Sequence, residues 1–392
     1  MGTSGAAVQA EESGRRPLVS FVVPCLDETA TLGAVIQKAL QAFARLGVDG
    51  EVVVADNGST DGSQALARSA GARVVEVRER GYGNAVRGGM AAARGRWLLM
   101  ADADDSYDPG ELGPFLEKLG GGAEVVMGTR LGPGRILAGA NPALNRYLGT
   151  PVLTFVLNRL FGTGIRDVNC GMRALTREAF QRLDLRAEGM EFASEMLIKS
   201  ALHGLRIEEV PVTLHPDRRG RRPHLRRWRD GWRHLEFMLV HAPDQLLFWP
   251  GLATLALGLL LALPVSFGPI QLGGRTFDYH FLFLGGSLCL IGVQGVLGTI
   301  LIHDAVRGPV LRPSRVAAAM AGALTLGRGL AVAAGLFLTG LVLDVAILTE
   351  WLGARFGALH EPRRAILGLL LMTLAVQLGL LAFLHAVLRR RP

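Results

Sequence analysis

Three short acidic stretches each follow an apolar run. Met100-Ala101-Asp102-Ala103-Asp104-Asp105-Ser106 presents two carboxylates separated by one residue, and in extended backbone such a pair shares a face. Hard oxygen ligands so placed suit Mg²⁺ or Mn²⁺, which take one or two carboxylates and complete their shell with substrate phosphate oxygens. The alternative is an acidic turn that binds nothing. In Asp56-Asn57-Gly58-Ser59-Thr60-Asp61-Gly62, Asp56 can accept hydrogen bonds from a nucleobase or ribose, and Asp61 can cap the following helix. In Pro24-Cys25-Leu26-Asp27-Glu28, Glu28 is either a binding group or a favourable first-turn charge.

A scaffold must bring these three stretches together. Leu18 to Val23 and Glu51 to Ala55 read as buried strands. Between them Leu32, Val35, Ile36, Ala39, Leu40 and Phe43 recur at helical spacing, and the alternation continues through Arg73 to Val77, Gly83 to Ala93 and Arg96 to Ala101. Alternating β and α elements predict an α/β domain with a mostly parallel sheet. Ligands of such sheets bind beyond the carboxyl ends of the strands, so the loops after Val23, Ala55 and Ala101 are expected to line one site.

The rest of the chain has a different texture. Its 392 residues are 49% hydrophobic and 19% charged, with a mean hydropathy of +0.31. Apolar stretches near Leu246 to Phe267, Phe281 to Ile302, Leu330 to Leu348 and Ala365 to Leu388 are each long enough to cross a bilayer. The expected division is a disordered tail over 1–17, a catalytic domain over 18–222, a juxtamembrane segment over 223–245 and four transmembrane helices over 246–392. Met1 to Arg16 carries no apolar core, so a signal peptide is not expected and the α/β domain is expected in the cytoplasm. Arg307, Arg312, Arg315, Arg328, Arg389, Arg390 and Arg391 agree with that orientation, whereas Arg355, Arg363 and Arg364 fall on the wrong side.

The formal charge of +8 is concentrated between Arg218 and Arg233, just before the first apolar run, which favours anionic lipid over nucleic acid. Two segments there and upstream, 141–161 and 225–240, mix apolar, aromatic and basic residues as interfacial helices do; ordinary packed surface helices are the alternative. Cys25, Cys170 and Cys289 show no paired spacing, which argues against a zinc site or a disulfide framework.

Val22-Val23-Pro24-x-x-x-Glu28, Asp56 to Gly62, Asp102-Ala103-Asp104 and Gly128-Thr129-Arg130, in this order, resemble family 2 glycosyltransferases of the nucleotide-sugar-binding, GT-A-like type. Asp167-x-x-Cys170-Gly171-x-Arg173 and the C-terminal spans make the chain most similar to polyprenyl-phosphate glycosyltransferases, the dolichol-phosphate mannose and glucose synthases among them. The resemblance implies Pro24, Glu28, Asp56 and Asp102 around the nucleotide, with Asp102 and Asp104 at a metal-bound diphosphate. It implies Ser106 in place of a metal-ligating Gln, and Leu26 in place of an aromatic residue. Asp104, Arg130 and Arg173 would be the catalytic groups, Arg130 meeting the donor's phosphate charge and Arg173 with Asp167 bordering the acceptor phosphate, and Glu191 and Glu195 would lie near the sugar or form a solvated face.

The activity so implied moves one sugar from a nucleotide sugar to polyprenyl phosphate with inversion, using Mg²⁺ or Mn²⁺, with UDP-glucose favoured and GDP-mannose next. Its partners would be the nucleotide sugar, polyprenyl phosphate and membrane lipid, without nucleic acid, with a homo-oligomer as an open alternative. Two other readings stand beside it. His224-x-x-Arg227-Trp228 nearly spells a signature of processive polysaccharide synthases, which with glycosyltransferases acting on a lipid hydroxyl form one alternative, and a non-catalytic subunit handling lipid-linked sugars would share the spans.

Overall fold

The computed structural model describes residues 16–218, 227–306, 311, 313–358 and 361–390. The N-terminal tail, His224, Arg307, Arg312, Arg391 and much of the basic cluster lie outside the described residues. The chain forms two compact units, divided between Met238 and Leu239.

The first unit alternates β1 (Val19–Cys25), α1 (Thr29–Leu46), β2 (Gly50–Asp56), α2 (Ser63–Ser69), β3 (Arg73–Glu76), α3 (Tyr82–Ala92), β4 (Trp97–Met100), α4 (Leu112–Gly120), β5 (Val125–Thr129) and the short β6 (Arg135–Ile136). It continues through α5 (Thr150–Phe161), β7 (Arg173–Thr176), α6 (Arg177–Leu183), α7 (Phe192–Leu202), β8 (Ile207–Pro211), β9 (Thr213–Leu214) and α8 (Arg227–Val240). Seven strands form one sheet in the order β3-β2-β1-β4-β7-β5-β8, parallel throughout except for β7, which runs antiparallel to both neighbours.

The continuous apolar runs of β1, β2 and β4 follow from burial on both faces. Val19, Phe21 and Val23 of β1, with Val52 and Val54 of β2, face a core shared with Leu32, Val35, Ile36 and Phe43 of α1. Val22, Val53 and Leu98 face the opposite core, shared with Val86 and Met90 of α3. Period-two alternation thus feeds two hydrophobic layers at once. Pro24 fits this central strand because β1 pairs with β4 only through Val22, so the missing N–H falls where that ladder has ended.

Segment 141–161 is helical, a π-helical turn (Asn145–Gly149) running into α5, and it leaves Leu144, Tyr147, Leu148, Val152 and Phe155 exposed. The predicted extended backbone at Asp102 and Asp104 is not found. β4 ends at Met100, and both carboxylates sit on the turn beyond it, where Asp105 adopts a left-handed φ of 58°.

The second unit carries four helices long and apolar enough to cross a membrane: Asp244–Ser266, which includes α9 (Trp249–Ser266), then α10 (Tyr279–Ala305), α12 (Leu326–Gly353) and α13 (Pro362–Arg389). A hairpin of β10 (Ile270–Leu272) and β11 (Arg275–Phe277) joins the first two spans, and a short helix, α11 (Arg315–Ala323), lies between the second and third. Two arginines at the start of α13 are ion-paired. Arg363 pairs with Asp278, and Arg364 reaches Glu350 at 2.8 Å and Glu361 at 3.1 Å.

Candidate active site

Because β1, β2, β4 and β5 are parallel, their C-terminal ends share one edge of the sheet, and antiparallel β7 begins at that same edge. The topology therefore gathers Pro24 to Glu28, Asp56 to Asp61, Asp102 to Ser106, Arg130 and the Asp167-to-Arg173 motif.

The loops after β1 and β2 are laced together. Asp27 accepts from the Thr60 N–H at 2.7 Å, while the Asp27 and Glu28 N–H groups donate to Ser59 Oγ and Ser63 Oγ, each at 2.9 Å. Asn57 spans the β2 and β3 loops, donating to the Val77 and Glu79 carbonyls and accepting from the Gly81 N–H. Asp56 is buried; its Oδ2 accepts from the Gly58 and Ser59 N–H groups and from Gln64 Nε2, and its Oδ1 is buried without a hydrogen-bond partner. A buried lone carboxylate oxygen at a strand end is an acceptor held ready for a ligand.

Asp61 caps two helices, accepting from the Thr29 N–H and hydroxyl and from the Ser63 N–H and hydroxyl. Partial burial works upward on this carboxyl, but the four donors outweigh it and hold its pKa at about 2, against 3.8 ordinarily. A depressed folded-state pKa contributes stability that is present above 3.8 and lost as pH falls toward 2. Asp61→Asn should therefore lower the unfolding temperature at pH 7 and make no difference near pH 2; a deficit unchanged between these pH values would contradict the capping role.

At the metal-like turn, Asp102 Oδ1 accepts from the Tyr82 hydroxyl at 3.0 Å, and Asp104 Oδ1 from the Ser106 N–H at 3.0 Å. Burial first, and the Asp102 charge second, push the Tyr82 phenol well above its ordinary pKa, so it remains a donor. Asp105, which sequence reasoning passed over, is held by Lys38 at 2.5 Å and Arg218 at 3.3 Å and fixes the turn between the two ligand candidates. The Ser106 carbonyl accepts from the His215 N–H at 2.8 Å, closing the 213–215 segment over the turn. Gly171 packs closely against Asp102: a Cβ there would stand 2.6 Å from Asp102 Oδ2 and 2.9 Å from the Tyr107 ring.

Among the described residues no three His, Cys, Asp or Glu side chains converge as a metal cage. Two carboxylates and a nearby hydroxyl suit a divalent cation that draws its remaining oxygens from a diphosphate and water. Thiol chemistry does not suit this edge. Burial chiefly pushes the Cys25 thiol up to about 11 and the Cys170 thiol up to about 12, so both stay protonated.

The arginines divide into two kinds. Arg130 is gripped by the fully buried Asp167, with Nε at 2.7 Å, Nη2 at 2.8 Å and the backbone N–H at 3.0 Å. It lines a cavity of about 310 Å³ together with Arg135, Arg146, Leu131, Gly132, Gly134, Ile136 and Leu137. Three guanidiniums and no carboxylate stand among its described lining residues, a chemistry suited to an anion. Arg135 and Arg146 were missed in the sequence, where their only signal is basic residues between β5 and the amphipathic segment.

Arg173 is of the second kind. Its guanidinium lies inside the domain, donating to the carbonyls of Cys170 at 2.8 Å, Ala193 at 2.6 Å and Val168 at 2.9 Å. Asp167 likewise borders no open site; it orients Arg130. Glu195 is neither solvated nor turned toward a sugar. It is buried, salt-bridged to Lys199 at 2.7 Å, and accepts from the Arg186 and Ala187 N–H groups. Glu191 precedes α7, with Oε1 taking the Gly189 N–H and Oε2 buried without a hydrogen-bond partner. The glycines at the start of α3 are a packing device: the Gly83 N–H donates to the Glu188 carbonyl, and a Cβ on Gly83 would lie 2.2 Å from the Ala187 oxygen.

Comparison with known proteins agrees with this layout. The model of glycosyl transferase family 2 matches residues 20–184, and that of the family 2 C-terminal transmembrane region matches residues 303–389. The low-salt glycan biosynthesis hexosyltransferase Agl6 of Haloferax volcanii is 35% identical over 94% of this chain and 87% of its own length. The chain belongs to glycosyltransferase family 2. A second relative of this glycosyltransferase, the dolichyl-phosphate hexose transferase of the same organism, is 36% identical over 41% of this chain and 68% of its own. Among solved structures, glucosyl-3-phosphoglycerate synthase from Mycobacterium tuberculosis, in complex with Mn²⁺, UDP and glucosyl-3-phosphoglycerate, is 26% identical with a TM-score of 0.45, covering 58% of this chain and 80% of that one. The glycosyltransferase is thus a GT-A-like catalytic domain followed by a membrane region with four candidate spans.

Proposed function

We propose that this glycosyltransferase moves a single hexose from a nucleotide sugar to polyprenyl phosphate, with inversion, at the cytoplasmic face of the plasma membrane or inner membrane. The observation that carries the reading is the three-arginine cavity next to the exposed apolar side chains of 144–155. A lipid phosphate has an anionic head and a tail that stays in the bilayer, and both halves find matching surfaces there.

In this reading Asp56 accepts from the base or ribose, beside Pro24 and Glu28. Asp102 and Asp104, with Ser106 adjoining, hold Mg²⁺ or Mn²⁺, and a bound divalent ion would stabilise charge on the leaving nucleotide diphosphate. Asp167 fixes the fork of Arg130 toward the acceptor phosphate, and Arg135 and Arg146 complete its charge balance. A phosphate oxygen is already anionic at pH 7, so attack needs positioning and no general base, which matches a cavity lined by arginine. Displacement opposite the leaving group inverts the anomeric carbon. Glu191, with its buried unpaired oxygen, is the carboxylate proposed to meet the sugar.

The relatives named for hexose transfer support a hexosyl donor. UDP-glucose is proposed first and GDP-mannose second, from the Asp167-to-Arg173 and Arg229-to-His234 stretches. Membranes bearing the enzyme, given a panel of radiolabelled nucleotide sugars and added polyprenyl phosphate, should label lipid from UDP-glucose most strongly. Label from neither nucleotide hexose would overturn the donor assignment.

A further inference from the structure

We infer that His234, on the last helix of the catalytic unit, is a positioning residue for the acceptor phosphate, acting through a hydrogen-bonded route that ends at Arg130. The inference rests on the acceptor reading above.

The route starts on α8. His234 is buried although Trp232, two residues away, is 61% exposed, and its Nδ1 lies 2.7 Å from Ser194 Oγ, which is itself buried. Ser194 follows Ala193, whose carbonyl accepts from Arg173 at 2.6 Å. The two other bonds of Arg173 go to the carbonyls of Val168 and Cys170, on either side of Asn169 in the motif that begins with Asp167. Asp167 grips Arg130 in the arginine-lined cavity. Two links, Ser194 to Ala193 and Val168 to Asp167, run along the backbone, and the others are the hydrogen bonds just given.

Packing follows the same line. One hydrophobic cluster joins Leu153 and Leu157 of α5, Leu197 and Ile198 of α7, Met238 of α8 and Val168 of the motif. The two segments with exposed apolar side chains, α5 and α8, therefore share a core with the loop that orients Arg130. Cluster and hydrogen bond together make α8 a support for that loop. A hydrophobic contact alone tolerates sliding; the directional Ser194–His234 bond fixes the register of α8 against α7.

A merely stabilising histidine would affect both substrates alike, so the test separates them. The full chain in anionic nanodiscs is assayed with nucleotide sugar and farnesyl phosphate, comparing wild type with His234→Ala, His234→Asn and Ser194→Ala. Asn can present an oxygen or nitrogen near the position of Nδ1. His234→Ala and Ser194→Ala should each raise the KM for farnesyl phosphate by about tenfold, the cost of one buried hydrogen bond, with the nucleotide-sugar KM unchanged and with Asn restoring most of the loss.

Hydrogen exchange on the same samples gives a readout that needs no acceptor: amides of residues 165–173 should exchange about tenfold faster in His234→Ala than in wild type. Equal changes in both KM values, or exchange at 165–173 unaltered by His234→Ala, would overturn the assignment. Failure of the wild type to use farnesyl phosphate would instead count against the acceptor reading, and the exchange measurement would still decide the role of His234.

Discussion

Asp104→Asn is expected to lower kcat by roughly 10²–10³-fold, the scale seen when one electrostatic partner of a developing charge is removed. Asp102→Asn should do the same. The substitution keeps an oxygen for the Ser106 N–H at Asp104 and for the Tyr82 hydroxyl at Asp102, so the turn survives while the charge that would hold a cation is halved. Thermal unfolding should stay within a few degrees of wild type, and chelation of the wild-type enzyme should reproduce the loss. Lys38 and Arg218 pair with Asp105, an anchor of the turn that neither substitution removes. Full turnover by either variant in chelator, at wild-type thermal stability, would remove the metal from the account.

Arg173→Met should cost stability rather than specificity. The substitution strips the donor from three backbone carbonyls in the interior and is expected to destabilise the domain by about 3–5 kcal/mol. Lysine offers a single ammonium where the guanidinium reaches three separate oxygens, so Arg173→Lys should recover less than half of the loss. Arg130→Lys gives the contrast: a folded enzyme with weakened affinity for the acceptor, because the fork gripped by Asp167 is lost while the positive charge remains. Thermal scans of the detergent-solubilised chain with acceptor titrations separate the two. An Arg173→Met protein as stable as wild type, altered only in acceptor KM, would return that residue to the phosphate site.

The contrast shows what a one-dimensional pattern carries. The apolar runs of β1, β2 and β4 and the spacing of α1 announce the sheet edge directly, because burial on both faces demands continuous hydrophobicity and a helix face demands its own period. Asp56, Asp102 and Asp104 are legible for the same reason, each standing where a run ends. The interior placement of Arg173 is not legible in the sequence, because a motif fixes residue type and not direction. Its orientation is set by β7 entering antiparallel between β4 and β5, so that Arg173 pairs with Met100 on one side and Met127 on the other. No local spacing encodes that insertion.

The burial of Glu195 is not legible for the same reason: its partners, the Arg186 and Ala187 amides, lie on a loop whose fold back onto α7 is a tertiary event. Arg135 and Arg146 carry no motif and join Arg130 only through the path of the chain between β5 and α5. In the membrane region the spans were legible from apolar length, whereas α11 was not. It is short and alanine-rich, and its N-terminus is held by the Ser314 N–H donating to Asp244 at 2.6 Å, a contact between residues far apart in the chain.

The central claim is that one sugar is joined to a lipid phosphate and that the reaction then stops. Once the phosphate is glycosylated, the new terminus offers neutral hydroxyls, and an arginine-lined cavity supplies no base to activate them. Mass spectrometry of the lipid product, formed by the full-length enzyme from nucleotide sugar with polyprenyl phosphate and polyprenol present together, tests this most directly. The account predicts one species, a single hexose linked through phosphate, with the polyprenol untouched. A ladder of oligosaccharides on one lipid, or a hexose on the polyprenol hydroxyl, would contradict it.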